Sequence, residues 1–157
     1  EDTTATSSTA MPDYATTTLS GKIGTDWTFQ TGRMVVPSSS SGSYWYSMTN
    51  DNLSNACSSS YTGTSSNPKV TYSRADAPTA GETELSFTSG NVKTVTFYDG
   101  TTNYIVAKGK ITIDTVTTTA VTGKMYAISG TDTDHEINGT FTLSRCCTSG
   151  SSYAICE

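Results

Sequence analysis

The sequence predicts an all-β fold, an antiparallel β-sandwich or partly open barrel of about eight or nine strands fastened by disulfides. Three observations lead there. Apolar residues alternate with Thr and Ser in short runs such as Val70-Thr71-Tyr72-Ser73 and Leu85-Ser86-Phe87-Thr88, the two-residue period of a half-buried strand. Turn chemistry such as Ser89-Gly90-Asn91 and Asp99-Gly100 separates the runs. No long stretch repeats its apolar residues every 3.6 positions, which argues against a parallel α/β fold.

Taken in order, residues 1–17 are low in complexity, so residues 1–18 read as an extended or disordered N-terminal arm and 19–157 as one β-sandwich domain. Trp27 and Phe29 open a strand pattern that Pro37 stops. Tyr44-Trp45-Tyr46-Ser47-Met48 is a second, aromatic strand, and residues 50–60 are the only place where a helical turn fits. Val70 with Tyr72, Leu85 with Phe87 and Val95 with Phe97 form inward-facing pairs. Tyr104 to Val116 is one long strand with a bulge or bend at Gly109. Val121 to Ile128 follows, then a polar turn from Gly130 to Glu136, and Ile137 to Leu143 is the last strand.

Composition narrows the class. Only 34% of the 157 residues are hydrophobic and 15% charged, while Ser and Thr make up roughly a third of the chain, far above average usage. Thr favours the pleated, half-exposed face of a strand, and nine Tyr, four Phe and two Trp supply a core that a disordered chain lacks. The net charge of −5 argues against nucleic acid and anionic membrane surfaces as partners, since both require clustered Lys and Arg. No stretch approaches the roughly eighteen apolar residues of a membrane span. The polar opening from Glu1-Asp2, without an initiator Met, reads as a mature chain whose export signal has been removed, hence secreted or at the cell surface.

The four cysteines, Cys57, Cys146, Cys147 and Cys156, form no zinc pattern, because there is no CxxC pair and only one His. Disulfides are the better account. A Cys146–Cys147 bridge would close a strained ring, which leaves two pairings. Cys57–Cys146 with Cys147–Cys156 is preferred. Strand parity, which puts Cys147 on the face of Phe141 and Leu143, speaks for the other.

The motifs Val95-Thr96-Phe97-Tyr98-Asp99, Ala107 to Ile113, Val121-Thr122-Gly123-Lys124-Met125 and Ile137 to Leu143 follow one another, preceded by Ser20-Gly21-Lys22-Ile23 and Trp27-Thr28-Phe29. This succession resembles small exported β-domains, often lipoproteins of unknown function, at the surface of Gram-negative bacteria. The resemblance covers roughly residues 19–146. It implies a disulfide from the Cys57 region to the end of the last strand and no catalytic residues. The chain departs from the group in having no lipid-carrying Cys near its start and in its Cys147–Cys156 segment, so a secreted or assembled form is expected rather than a lipid-anchored one.

Three sets of residues are candidates for chemistry. Asp132, Asp134 and Glu136 sit at alternate positions where a loop would let their oxygens converge on Ca²⁺, the one cofactor considered. Asn50-Asp51-Asn52 and Asp99 with Asn103 are further oxygen-rich turns, although Asp and Asn also fill turns by bonding their own backbone. His135, in the same polar turn, is the only residue able to serve a Ser-His-Asp triad. Neither GxSxG nor HExxH occurs, so the chain is read as a non-enzyme. Tyr44, Trp45 and Tyr46 are consecutive, so a strand must turn at least one of them outward, where it could stack on a sugar ring or anchor an interface. The expectation is an extracellular structural or adhesive protein, a filament subunit that self-associates through its N-terminal arm or a sheet edge. The alternative is a secreted module that binds carbohydrate or, with Ca²⁺, another ligand. A hydrolase ranks last.

Overall fold

The computed structural model describes residues 11–58, 66–130 and 132–157, without the side chains of 132 and 133. Every regular element among them is a β-strand. These are β1 (Ser20–Ile23), β2 (Thr25–Thr28), β3 (Thr31–Val36), β4 (Tyr44–Thr49), β5 (Lys69–Arg74), β6 (Gly81–Glu84), β7 (Ser86–Thr88), β8 (Asn91–Lys93), β9 (Val95–Tyr98), β10 (Asn103–Val106), β11 (Lys108–Val116), β12 (Ala120–Ser129), β13 (Asp132–Ser149) and β14 (Ser152–Ile155).

The main sheet runs β10-β9-β5-β4-β3-β13-β12-β11-β6, with β1, β2 and β14 attached around β13. It curls so that β10, at one end, reaches back to β13, where the Tyr104 ring packs tilted against His135 at 4.3 Å between centroids. The alternation expected from the sequence fills the inside: Gly32, Met48, Val70 and Phe97 lie in register across four strands, all buried. Trp27 is buried too, and its indole N–H donates to the Pro68 carbonyl at 2.9 Å, so the large ring leaves no polar atom unpaired.

Several expectations need correction. One pairing, β3 with β13, is parallel. Leu85 is buried, but Phe87 is 66% exposed, because the chain leaves the sheet after β6 and folds into a separate β7–β8 hairpin. The long strand from Tyr104 breaks at Ala107, which carries the chain from the edge beside β9 to the edge beside β12. The bulge falls between Ile113 and Thr115, while Gly109 is where β11 lies against the Tyr126–Ala127 backbone. Residues 50–58 form no helix; Asn55 caps a turn by accepting the Cys57 N–H on its side chain. The strand expected over Ile137 to Leu143 begins at Asp132 and runs to Ser149, and β14 follows it. The polar turn shrinks to the Gly130 region because His135 and Ile137 both have somewhere to be buried.

Of the arm, residues 11–18 are described, and they lie on the molecule's own sheet. Thr17 and Leu19 exchange backbone hydrogen bonds with Thr140, and Asn138 bonds the backbone of Asp13 and Ala15. Tyr14 then crosses the outer face, its ring under Lys110 and Lys124 and its hydroxyl bonded to Glu82 and Thr112. Gly139 permits the crossing. A Cβ there would stand 2.5 Å from the Thr17 carbonyl oxygen, and its φ of +143° disfavours any side chain.

The disulfides are Cys57–Cys146 and Cys147–Cys156. Register explains why. Ser144 and Cys146 pair with Arg33 and Val35, so they share the outer face, whereas Leu143 packs on Gly32 inside. The parity expectation for Cys147 therefore holds. Cys57, however, approaches from outside: the 56–58 turn lies over β3, where Arg33 Nη1 donates to the Ala56 and Ser58 carbonyls. That turn buries Cys146 completely. Two disulfides fit an oxidising compartment outside the cytoplasm. No helix among the described residues is long and apolar enough to cross a membrane.

Loop closure ranks the two bridges. With separations of 89 and 9 residues, removing them should cost about 4–5 and about 2–3 kcal/mol respectively on the chain-entropy model. Equilibrium denaturant unfolding of Cys57→Ala/Cys146→Ala and Cys147→Ala/Cys156→Ala variants checks this. A larger loss from the short bridge would contradict it.

Candidate functional site

β4 separates its three aromatic residues as a strand must. Tyr46 is buried, Tyr44 packs half-buried against the core, and Trp45 projects from the outer face with 57% of its surface exposed. Register surrounds Trp45 mostly with polar residues. Trp45 lies opposite Val35 and Ser73, and the next row is Arg33, Ser47, Thr71 and Thr96. Hollows of about 330 and 310 Å³ flank the indole. Arg33 and Tyr153 line the first, with the guanidinium 4.9 Å above the Tyr153 ring. Val92 of the β7–β8 hairpin, Thr94, Tyr72 and Arg74 line the second. The arrangement is an exposed π face rimmed by hydroxyls and a cation.

On the inner side, Tyr46 and Tyr72 are cross-strand partners stacked at 4.3 Å, 8° from parallel. The Arg74 guanidinium lies 4.8 Å from the Tyr72 ring centre, and its Nη1 donates to the Ser73 and Thr94 carbonyls. Burial pushes the Tyr46 phenol up to about 12 and Tyr72 further still, so both are neutral donors at any physiological pH. Burial acts on Arg74 in the opposite sense, lowering its pKa. The Tyr72 hydroxyl and Arg74 Nη2 are buried with no hydrogen-bond partner among the described residues. Sequence reasoning missed this pair. The available signal was Tyr72-Ser73-Arg74, which puts an aromatic ring and a cation on one face of a strand beside the Tyr46 position.

The expected Ca²⁺ loop is not a loop. Asp134 and Glu136 stand on β13, and Asp132 begins it, its side chain outside the described residues. No group of three His, Cys, Asp or Glu placed to hold a metal occurs among the described residues. The other oxygen-rich segments serve turns. Asp51 accepts from the Asn67 amide. Asp99 accepts from the Thr101 and Thr102 N–H groups and from the Thr101 and Tyr104 hydroxyls.

His135 is not in an exposed turn either. It is 5% exposed, paired with Ile23 and packed at a tilt against Tyr104, because the sheet's curl brings β10 over the start of β13.

No family model, curated protein or solved structure matches this chain.

The Asp99 turn makes a pH prediction. The Thr102 N–H first, then the Thr101 N–H, hold its carboxyl down at about 2. A lowered folded-state pKa adds stability that is complete above the ordinary value of 3.8 and is lost as pH falls through about 2. An NMR titration of the Asp99 carboxyl should show its midpoint near 2. The acid-side loss of stability should be shallower in Asp99→Asn. A midpoint near the ordinary value would show that the turn is not held in solution.

Proposed function

We propose that this chain is a secreted or cell-surface recognition module that binds carbohydrate on the Trp45 face. The observation that carries this is the 57% exposure of Trp45 beside Ser73 and next to a row that holds Ser47, Thr71 and Thr96. A core indole would be covered, and two hollows flank this one. The indole face suits the C–H side of a sugar ring. Ser47, Thr71, Ser73 and Arg33 supply donors and acceptors for its hydroxyls. The two disulfides and the resemblance to exported β-domains support the compartment. On a glycan array followed by titration calorimetry, the wild-type chain should bind at least one glycan, with Trp45→Ala weakening it about tenfold or more. A blank array, or equal binding by Trp45→Ala, rejects the reading.

One observation favours a second reading, a self-assembling surface subunit. The arm is held at Thr140 by strand-type backbone bonds, and such bonds form equally well with a neighbour's arm. The end strand β6 presents Glu82 and Glu84, charges that discourage pairing along that edge, so exchange of the arm is the favoured route. Deleting residues 1–18 should reduce particle size in light scattering at high concentration. Unchanged size excludes arm exchange.

A further inference from the structure

The inner side of β4 and β5 holds a further pocket, which shares Tyr72 and Arg74 with one of the hollows beside Trp45. Under residues 76–83 lies a pocket of about 180 Å³, comparable with a cavity of roughly 150 Å³ that accepts benzene. Tyr46, Tyr72 and Arg74 line it together with the apolar Pro78, Ile111 and Ile113. Tyr72 is only 6% exposed, yet its hydroxyl has no partner among the described residues, and neither has Arg74 Nη2. Buried polar groups are nearly always hydrogen-bonded, because stranding one sacrifices its solvation. Here two stand two residues apart on the same face of one strand.

We infer that this pocket binds a small monocarboxylate with an apolar body, its carboxylate taken by the Tyr72 hydroxyl and Arg74 Nη2. A protonated phenol and a guanidinium nitrogen both donate, and a carboxylate offers two acceptor oxygens in one plane. The charge also fits: no carboxylate among the described residues forms an ion pair with Arg74. Lys93 at the lining adds a second cation and Asp76 one anion, so the charged lining has an excess of one positive charge, which a monocarboxylate would balance. The tyrosine stack and the two isoleucines receive the hydrocarbon part.

Titration of the full chain with benzoate, hexanoate and 3-methylbutanoate, followed by two-dimensional NMR, tests this. At least one acid should shift the resonances of Tyr72, Arg74 and Ile111 saturably below about 10 mM. Benzyl alcohol, a neutral counterpart, should bind at least tenfold more weakly. Tyr72→Phe keeps the ring stack and removes the unpartnered hydroxyl, so it should melt no lower than wild type while losing about tenfold in affinity. Arg74→Lys, which keeps the charge but not the planar fork, should also weaken binding and decides the matter if Tyr72→Phe does not fold. No saturable binding by any of the acids, or binding that neither substitution changes, overturns the inference and leaves the pocket to water. Acid binding should survive Trp45→Ala, so failure at one surface is distinguishable from failure at the other.

Discussion

An extended strand carries hydrogen-bonding groups along both edges, and the eighteen residues of β13 must find partners for two full rows of them. One edge is taken by β12 and then β14, the other by β1, the arm at Thr140 and then β3. The rest of the sheet hangs from this arrangement. The parallel contact with β3 joins the β10-β9-β5-β4-β3 half to the β12-β11-β6 half. Both disulfides begin at adjacent residues of the same strand, where alternation sends Cys146 outward to Cys57 and Cys147 the other way to Cys156. Gly139 lets Thr17–Leu19 approach the middle of this strand closely.

The strands were readable wherever neighbouring positions had opposite environments. Val70, Tyr72, Val95 and Phe97 alternate with Thr and Ser, and burial follows the same beat. Reading failed where an apolar residue was taken to imply an interior. Phe87 has the same local pattern as Leu85, but the hairpin that carries it stands off the sheet. His135 failed in reverse, since polarity suggested solvent while the remote Tyr104 supplied an aromatic cover. Cys146 shows the same limit. Its face was legible, but the turn that comes to lie over that face is 89 residues away. Parallel pairing of β3 with β13 has no local signature, because the partners' own sequences look alike in either direction.

The aromatic triplet was legible as a problem rather than an answer. Three consecutive rings cannot all face inward on a strand, and the fold resolves this by burying Tyr46, half-burying Tyr44 and exposing Trp45. Each side of β4 thereby acquires different chemistry. Outside, an indole stands among hydroxyls on a shallow surface. Inside, two phenols stack at the end of the core beside a buried guanidinium. The second arrangement depends on β5 lying next to β4 in a register that sets Tyr72 opposite Tyr46.

The contact between the arm and β13 also governs the order in which the molecule can be completed. Ala15 is bonded to the side chain of Asn138, 123 residues further on, and polypeptides are made from the N-terminal end. The strap is therefore synthesised well before the strand that receives it and cannot be seated until that strand has been made. Closing so distant a contact is slow relative to forming neighbouring hairpins. Until it closes, the β13 edge that will accept Thr17–Leu19 stays open to any other extended segment within reach.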